Sequence, residues 1–107
     1  MADAFCYLTT VGRRTGRPHE IEIWFGREGD TLYLLSGGGD RADWVRNGLA
    51  QAEVTVRLGE QAHAARFRLV EDPNEEALAR RLLVEKYYDG RENEWSRTAL
   101  AVALDLA

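Results

Sequence analysis

Six short strand-like segments occur within only 107 residues, and turn residues separate most of them. In the second segment Ile21, Ile23 and Phe25 alternate with Glu20, Glu22 and Trp24, as in a strand with one buried face. Six mostly antiparallel strands in so short a chain favour a small closed or split barrel, because closure removes unpaired edges. The predicted strands cover residues 5–11, 19–25, 31–35, 54–58, 61–70 and 99–106.

Two segments have helix-start signals instead. Asp72 precedes Pro73 and Glu75, a combination typical of an N-cap, a first helical position and a capping box, and it predicts a helix over 73–88. Asp40 is a good N-cap for a shorter helix over 41–51. The order βββαββαβ predicts a mainly β, α+β fold with two helices, in a single domain over residues 1–107.

Two irregularities in the strand pattern lead to further predictions. In segment 61–70 the inward apolar set shifts by one residue, from Ala62 and Ala64 to Ala65 and Phe67, which predicts a β-bulge. Trp24 stands on the polar face of its strand, an awkward place for a tryptophan in water. We therefore expect a homodimer that covers it.

Composition excludes several classes of protein. The chain has 14 basic and 18 acidic residues, a net charge of −4, which argues against general binding to nucleic acid. No uncharged run approaches the roughly 20 residues of a transmembrane helix. The lone Cys6 excludes an intramolecular disulfide and a cysteine-based zinc cluster, so a cytoplasmic protein without a metal site is expected.

Nucleophilic and acid–base chemistry find little support in the sequence. His19 and His63 are the only histidines and have no metal-ligand spacing, and both are expected to be strand residues. Cys6 has apolar neighbours and no adjacent base, which indicates a buried thiol. No side chain is therefore predicted to act as a catalytic acid, base or nucleophile.

Two glycine-bearing segments are more informative. Residues 12–18 read GRRTGRP, and glycine turns expose backbone N–H groups while arginines grip phosphate or carboxylate. Residues 36–39 read SGGG ahead of a predicted helix, whose N-terminus favours negative charge. At the ends of adjacent strands, the two would form a cleft for a long ligand with phosphate at one end and a flat ring at the other. The alternatives are an exposed hairpin and a flexible linker.

Three ordered blocks resemble the signature of the deazaflavin (F420)-dependent nitroreductase and quinone reductase family. They are YLTTVGRRTGRP at residues 7–18, SGGG at 36–39 followed by Trp44 and Asn47, and WSRTAL at 95–100. Arg14 and Ala101 stand where the family commonly has lysine and proline. The resemblance implies a six-stranded split β-barrel related to the pyridoxamine-phosphate-oxidase-like FMN-binding fold. It also implies hydride transfer from reduced coenzyme F420 to quinones, nitro compounds or other activated small molecules.

The same resemblance assigns ligand-binding residues position by position. Arg13, Arg14 and Arg17 would hold the phosphate and acidic tail of the coenzyme, in a groove also lined by Pro18 and His19. The deazaflavin ring and its ribityl chain would meet Ser36, Gly37 and Gly38, with Trp44 and Asn47 beside them. An acceptor pocket would be walled by Tyr87, Tyr88 and Trp95.

Two other readings remain open from the sequence. The same fold could hold FMN, whose single phosphate needs fewer arginines than a polyanionic tail. A non-catalytic module that carries the cofactor or another small anion has the same sequence requirements.

Overall fold

A computed structural model describes residues 4–107, which form one seven-stranded sheet with helices at its surface. Every strand pair in the sheet is antiparallel, and the order across it is β2-β1-β5-β6-β7-β4-β3. The strands are β1 (Cys6–Val11), β2 (Pro18–Ile23), β3 (Gly26–Glu28), β4 (Thr31–Ser36), β5 (Glu53–Leu58), β6 (Gln61–Leu69) and β7 (Leu100–Leu106).

The prediction of six strands is wrong by one, because the segment 19–25 does not continue as a single strand into the turn. β2 ends at Ile23, and after two residues the three-residue β3 pairs with β4, with Gly26 opposite Tyr33. A Cβ on Gly26 would lie 2.7 Å from Cβ of Leu82. Glycine at this position therefore lets α2 (Pro73–Tyr87) pack directly on β3.

The sheet curls around one apolar core. Leu8 of β1 and Leu34 of β4 belong to the same buried cluster, although β5, β6 and β7 stand between their strands in the sheet. A second cluster lies on the outer face of β4 and β7, where α2 supplies Leu83. The structure is thus a half-barrel with a helix packed on its outside.

The barrel is split between its two edge strands. β2 pairs only with β1, and β3 pairs with β4 only as far as Tyr33, so Leu34–Ser36 has strand pairing on the β7 side alone among the described residues. Only Trp24 and Phe25 separate β2 from β3, and this short link holds the two sheet edges close together at one end.

The helices agree with the sequence in part. Asp72 caps α2 by accepting from the Glu75 N–H at 2.9 Å, as predicted. The first helix, α1 (Asp43–Ala50), begins two residues late because residues 39–41 form a 3₁₀ turn, and its N-cap is Ala42 rather than Asp40. Within the described chain, none of the helices has the length and apolar character needed to cross a membrane.

Two further expectations are corrected. The chain has a third helix where two were predicted: Asn93 and Ser96 form a capping box that starts α3 (Glu94–Thr98). The predicted bulge in β6 is absent from its paired residues, since the register with β5 and with β7 runs without a break. Ala62 and Ala64 are exposed, so they belong to the outward set of one regular alternation.

A charged cluster fastens the sheet to α2. The Arg68 guanidinium donates to both carboxylate oxygens of Glu75 at 2.7 Å and to Asp105 at 2.7 and 3.2 Å. Tyr33 Oη donates to Glu75 at 2.6 Å, and Thr31 Oγ1 donates to Asp105 at 2.9 Å. These bonds lower the pKa of Glu75 to about 2, chiefly through the bonds from Arg68.

Candidate functional site

The loop between β1 and β2, residues 12–17, is held by its own backbone. The Gly12 N–H donates to the Arg17 oxygen at 2.7 Å, and the Gly16 N–H donates to the Gly12 oxygen at 2.8 Å. Gly16 has a φ of 72°, which glycine adopts without steric cost. A Cβ on Gly12 would lie 2.6 Å from Nε2 of His19, so glycine allows the imidazole to cross close over the turn.

Arg13 joins this loop to α1. Its backbone N–H and Nη1 donate to Oδ1 of Asn47 at 3.2 and 2.8 Å, and its Nη2 donates to Asp43 at 3.1 Å. Asn47 is 4% exposed and donates from Nδ2 to Oγ1 of Thr10 at 3.3 Å. The polar groups of Arg13 and Asn47 are therefore engaged in hydrogen bonds with each other. These bonds fix the orientation of the loop relative to the helix.

Arg14 and Arg17 are exposed on the same loop. Within residues 4–107, neither guanidinium has a hydrogen-bonding or ion-pairing side chain beside it. Asp43 offsets the charge of Arg13, so Arg14 and Arg17 carry the uncompensated positive charge of the hairpin end. Planar guanidinium groups in this state are suited to phosphate and carboxylate ligands.

A cavity of about 640 Å³, here called the arginine cavity, lies between the hairpin and α1. It brings together six of the predicted coenzyme-binding residues: Arg13, Arg14, Pro18, His19, Trp44 and Asn47. Sequence reasoning missed Thr10, Glu20 and Asp43 in its wall. Asp43 is the partner of Arg13, and Thr10 is the partner of Asn47. These pairs form only because α1 packs on β1, so the sequence alone does not indicate them.

The Ser36–Gly39 segment does not follow a strand adjacent to β1, so the prediction of adjacent strands is wrong. β1 and β4 are not adjacent in the sheet, because β5, β6 and β7 stand between them. Ser36 is 2% exposed, and its Oγ donates to the Gly39 oxygen at 2.9 Å, which holds the glycine turn. A Cβ on Gly37 would lie 3.4 Å from Cδ1 of Trp95, so Gly37 stands beside the aromatic residues described next.

A second cavity of about 360 Å³, here called the aromatic cavity, lies beside the split of the barrel. Its lining residues are Phe5, Glu22, Ile23, Trp24, Leu35, Tyr88 and Trp95. The predicted acceptor residues Tyr88 and Trp95 are both present, with ring centroids 6.0 Å apart. The flat walls suit a planar aromatic ligand, which stacks favourably on such surfaces.

Trp24 is the centre of this aromatic group, and the expectation that it faces water is wrong. Its ring stacks on Tyr87 at 4.4 Å and meets Trp95 edge-on at 5.8 Å. Tyr87, predicted to wall the acceptor pocket, does not line the cavity: its Oη accepts from the Phe25 N–H at 3.0 Å and donates to the Ala4 oxygen at 2.7 Å. Tyr87 supports the cavity from behind Trp24.

The two cavities share one edge strand. Glu20 and Ile21 line the arginine cavity, and the next two residues of β2, Glu22 and Ile23, line the aromatic cavity. Two strand residues span about 7 Å. The cavities therefore follow each other along the open edge of the barrel.

Cys6 takes no part in either cavity. It is fully buried in the barrel core, and desolvation raises its pKa to about 12. A thiol in this state is a poor nucleophile. Across the described residues there is also no group of three or more side chains that could hold a metal ion.

A curled antiparallel half-barrel is the fold of the split-barrel, pyridoxamine-phosphate-oxidase-like proteins. The chain belongs to the F420H₂-dependent quinone reductase family, whose model matches residues 1–106. It is an F420-dependent oxidoreductase by family, which confirms the predicted family and coenzyme F420 as the cofactor. No curated protein matches the chain.

Solved structures agree on the fold. One described as an F420-H2 dependent reductase is 19% identical with a TM-score of 0.73, and the match covers 98% of this chain and 96% of that one. A candidate pyridoxamine 5′-phosphate oxidase from Listeria innocua is 17% identical with a TM-score of 0.74, over 97% and 84% of the two chains. A structure described as a domain-swapped dimer is 20% identical with a TM-score of 0.79, over 98% and 82%.

Proposed function

We propose that this protein transfers a hydride from reduced coenzyme F420 to a planar quinone or nitro compound bound in the aromatic cavity. The observation that carries the proposal is the succession of the two cavities along β2. A ligand with an anionic tail and a flat ring can lie along this edge, with its tail at the arginine cavity and its ring next to the acceptor in the aromatic cavity.

The anionic tail of the coenzyme would bind at the hairpin. Arg14 and Arg17 present uncompensated charge there, and Pro18 and His19 follow at the start of β2. Arg13 and Asn47 would act by holding the hairpin against α1, through the bonds described above. These residues fit a polyanionic ligand better than a neutral one, since the charge has no internal partner.

The ring would lie near the split, where Ser36, Gly37 and Gly38 follow β4. The backbone at Gly37 is close to Trp95, and no side chain projects from Gly37 to obstruct a flat ligand. Trp44 lines the arginine cavity and meets Phe67 edge-on at 6.2 Å, which fixes its ring as a wall on the α1 side.

When bound, coenzyme F420 supplies a hydride, that is, two electrons and one hydrogen nucleus. The protein's contribution is to hold two flat ligands in register and to keep water from between them. A quinone acceptor gains the hydride and one proton from solvent to become a hydroquinone, so no side chain is needed as the proton donor.

The test is turnover by the purified protein with reduced F420 and, separately, menadione and a nitroaromatic compound, followed by the visible absorbance of the oxidised coenzyme. Reduced FMN serves as the parallel donor. We expect oxidation of F420 only when an acceptor is present. Binding of F420 without turnover of either acceptor would instead favour the cofactor-carrying module, and preferential use of FMN would favour the alternative cofactor.

We also propose that the protein is a homodimer. The cover expected for Trp24 comes from its own chain, so Trp24 no longer supports the dimer, and the support lies in a protein of similar fold. One structural relative is described as a domain-swapped dimer. Light scattering after size exclusion, over a wide range of concentrations, should give twice the chain mass; a constant monomer mass contradicts the proposal.

A further inference from the structure

The aromatic cavity contains one charged side chain among its described lining residues. Phe5, Ile23, Trp24, Leu35, Tyr88 and Trp95 are apolar or aromatic, and Glu22 is the exception. The neighbouring arginine cavity is different, since its wall contains both basic residues, Arg13 and Arg14, and acidic residues, Glu20 and Asp43. In the aromatic cavity, by contrast, the carboxylate of Glu22 has no basic residue among the described lining residues to offset it.

Glu22 is held in place from the side of the sheet. Tyr7 lies opposite it in the β1–β2 register and donates its phenolic hydrogen to Oε1 of Glu22 at 2.8 Å. That bond keeps the carboxylate as an acceptor and raises the pKa of Tyr7. The side chain is thus positioned by a neutral partner.

The arginine that stacks on Tyr7 does not form an ion pair with this carboxylate. Arg57 stacks over the Tyr7 ring, with its guanidinium carbon 4.2 Å from the ring centre, and its Nη1 donates to the Gly59 oxygen at 3.0 Å. Within residues 4–107, Glu22 forms no ion pair at 4.0 Å or less. Its charge therefore acts on whatever occupies the cavity.

We infer that Glu22 is a specificity-determining residue, which makes the aromatic cavity select planar acceptors with a neutral or cationic substituent and reject those with a carboxylate or sulfonate. The inference rests on the proposed function, since it takes the aromatic cavity as the acceptor site. It names the chemical class of acceptor that this site takes: a flat, apolar ring system without negative charge.

The test compares three probes that share one ring system: menadione, naphthoquinone sulfonate and a naphthoquinone that carries a trimethylammonium group. Their dissociation constants are measured by quenching of tryptophan fluorescence without coenzyme, and kcat/KM is then measured with reduced F420. We expect affinity to rise from the anion through the neutral probe to the cation. Each step should be about threefold to tenfold, as one unit charge gives near a protein surface.

Glu22→Gln keeps the size and the bond from Tyr7 and removes the charge, so it should bring the three affinities together. Glu28→Gln is the matched control, an exposed strand carboxylate that lines neither cavity, and it should leave the order of affinities intact. Raising the salt concentration should reduce the discrimination in the wild type, because ions screen an exposed charge.

Equal affinities for the three probes in the wild type, an order that survives in Glu22→Gln, or failure of all three to bind would each overturn the inference. The proposed function fails separately. The expected order of affinities without coenzyme-dependent turnover would contradict the reductase while supporting the role of Glu22. Turnover with no charge preference would support the reductase and contradict the role of Glu22.

Discussion

At the scale of single residues, the arginines of the hairpin divide into two roles that their adjacency in sequence does not reveal. Arg13 is bonded to Asn47 and Asp43, whereas Arg14 and Arg17 are exposed beside it. Alternate residues of a turn face different ways, so one arginine can fasten the loop while the next presents its charge. Only the second kind is available to a ligand.

Arg14→Glu should therefore weaken F420 binding without altering the fold. Loss of a charged hydrogen-bonding group costs about 1–3 kcal/mol, or roughly fivefold to 150-fold in Kd. Arg91→Glu is the control, since Arg91 is an exposed loop arginine that lines neither cavity. Calorimetric titration at low and high salt, after thermal unfolding has verified both variants, measures the effect. If Arg14→Glu bound F420 as tightly as the wild type does at low salt, Arg14 would not be part of the binding site.

At the scale of secondary structure elements, α1 is the part that completes the arginine cavity, and its position depends on close packing. A Cβ on Gly48 would lie 2.6 Å from Cγ of Phe67, a core residue that is 3% exposed. The helix can thus approach β6 closely only where it has no side chain. This contact places Asp43, Trp44 and Asn47 opposite the hairpin.

Gly48→Ala should destabilise the protein although alanine is the better helix former by about 1 kcal/mol. Crowding in a packed core costs typically 1–3 kcal/mol, and we expect a net loss of up to about 2 kcal/mol from these opposed terms. Denaturant unfolding measures it. Leu49→Ala, at an adjacent helix position that is 52% exposed, is the control and should change little. A stabilised Gly48→Ala protein would mean that Phe67 moves aside freely.

At the scale of the whole molecule, the cluster around Arg68 joins three strands and a helix. Arg68 lies on β6, Asp105 on β7, Tyr33 on β4 and Glu75 in the first turn of α2. The pKa of Glu75 in this cluster is lowered from an ordinary 4.5 to about 2, and this change can be tested. Its charged form is stabilised by folding.

Stability should therefore depend on acid in a defined window. A lowered folded pKa contributes stability that is complete above pH 4.5 and is lost as the pH falls from 4.5 toward about 2, as the unfolded chain binds the proton first. The free energy of unfolding of the wild type should fall across this window more steeply than that of Glu75→Gln. Glu85→Gln, exposed on the same helix, should retain the wild-type slope. Parallel slopes for wild type and Glu75→Gln would contradict the coupling.

The local parts of this protein follow from its sequence. Alternation in 19–23 and 54–58, the Asp72–Pro73 helix start and the glycine turn at 12–17 are short-range patterns, and each depends on neighbours within a few residues. The family resemblance rests on the same local blocks. It predicted the family and the coenzyme, which the family match confirms.

The tertiary structure decided which of those parts meet. Arg13 reaches Asn47 across 34 positions, and Trp24 stacks on Tyr87 across more than 60, so neither contact leaves a periodic signal in the chain. The third strand was missed because Gly26–Glu28 has no pattern of its own and forms only by pairing with β4. Local preference sets the elements, whereas burial of the shared core sets how the sheet curls, and that curl brings a charged hairpin and an aromatic cavity to one edge.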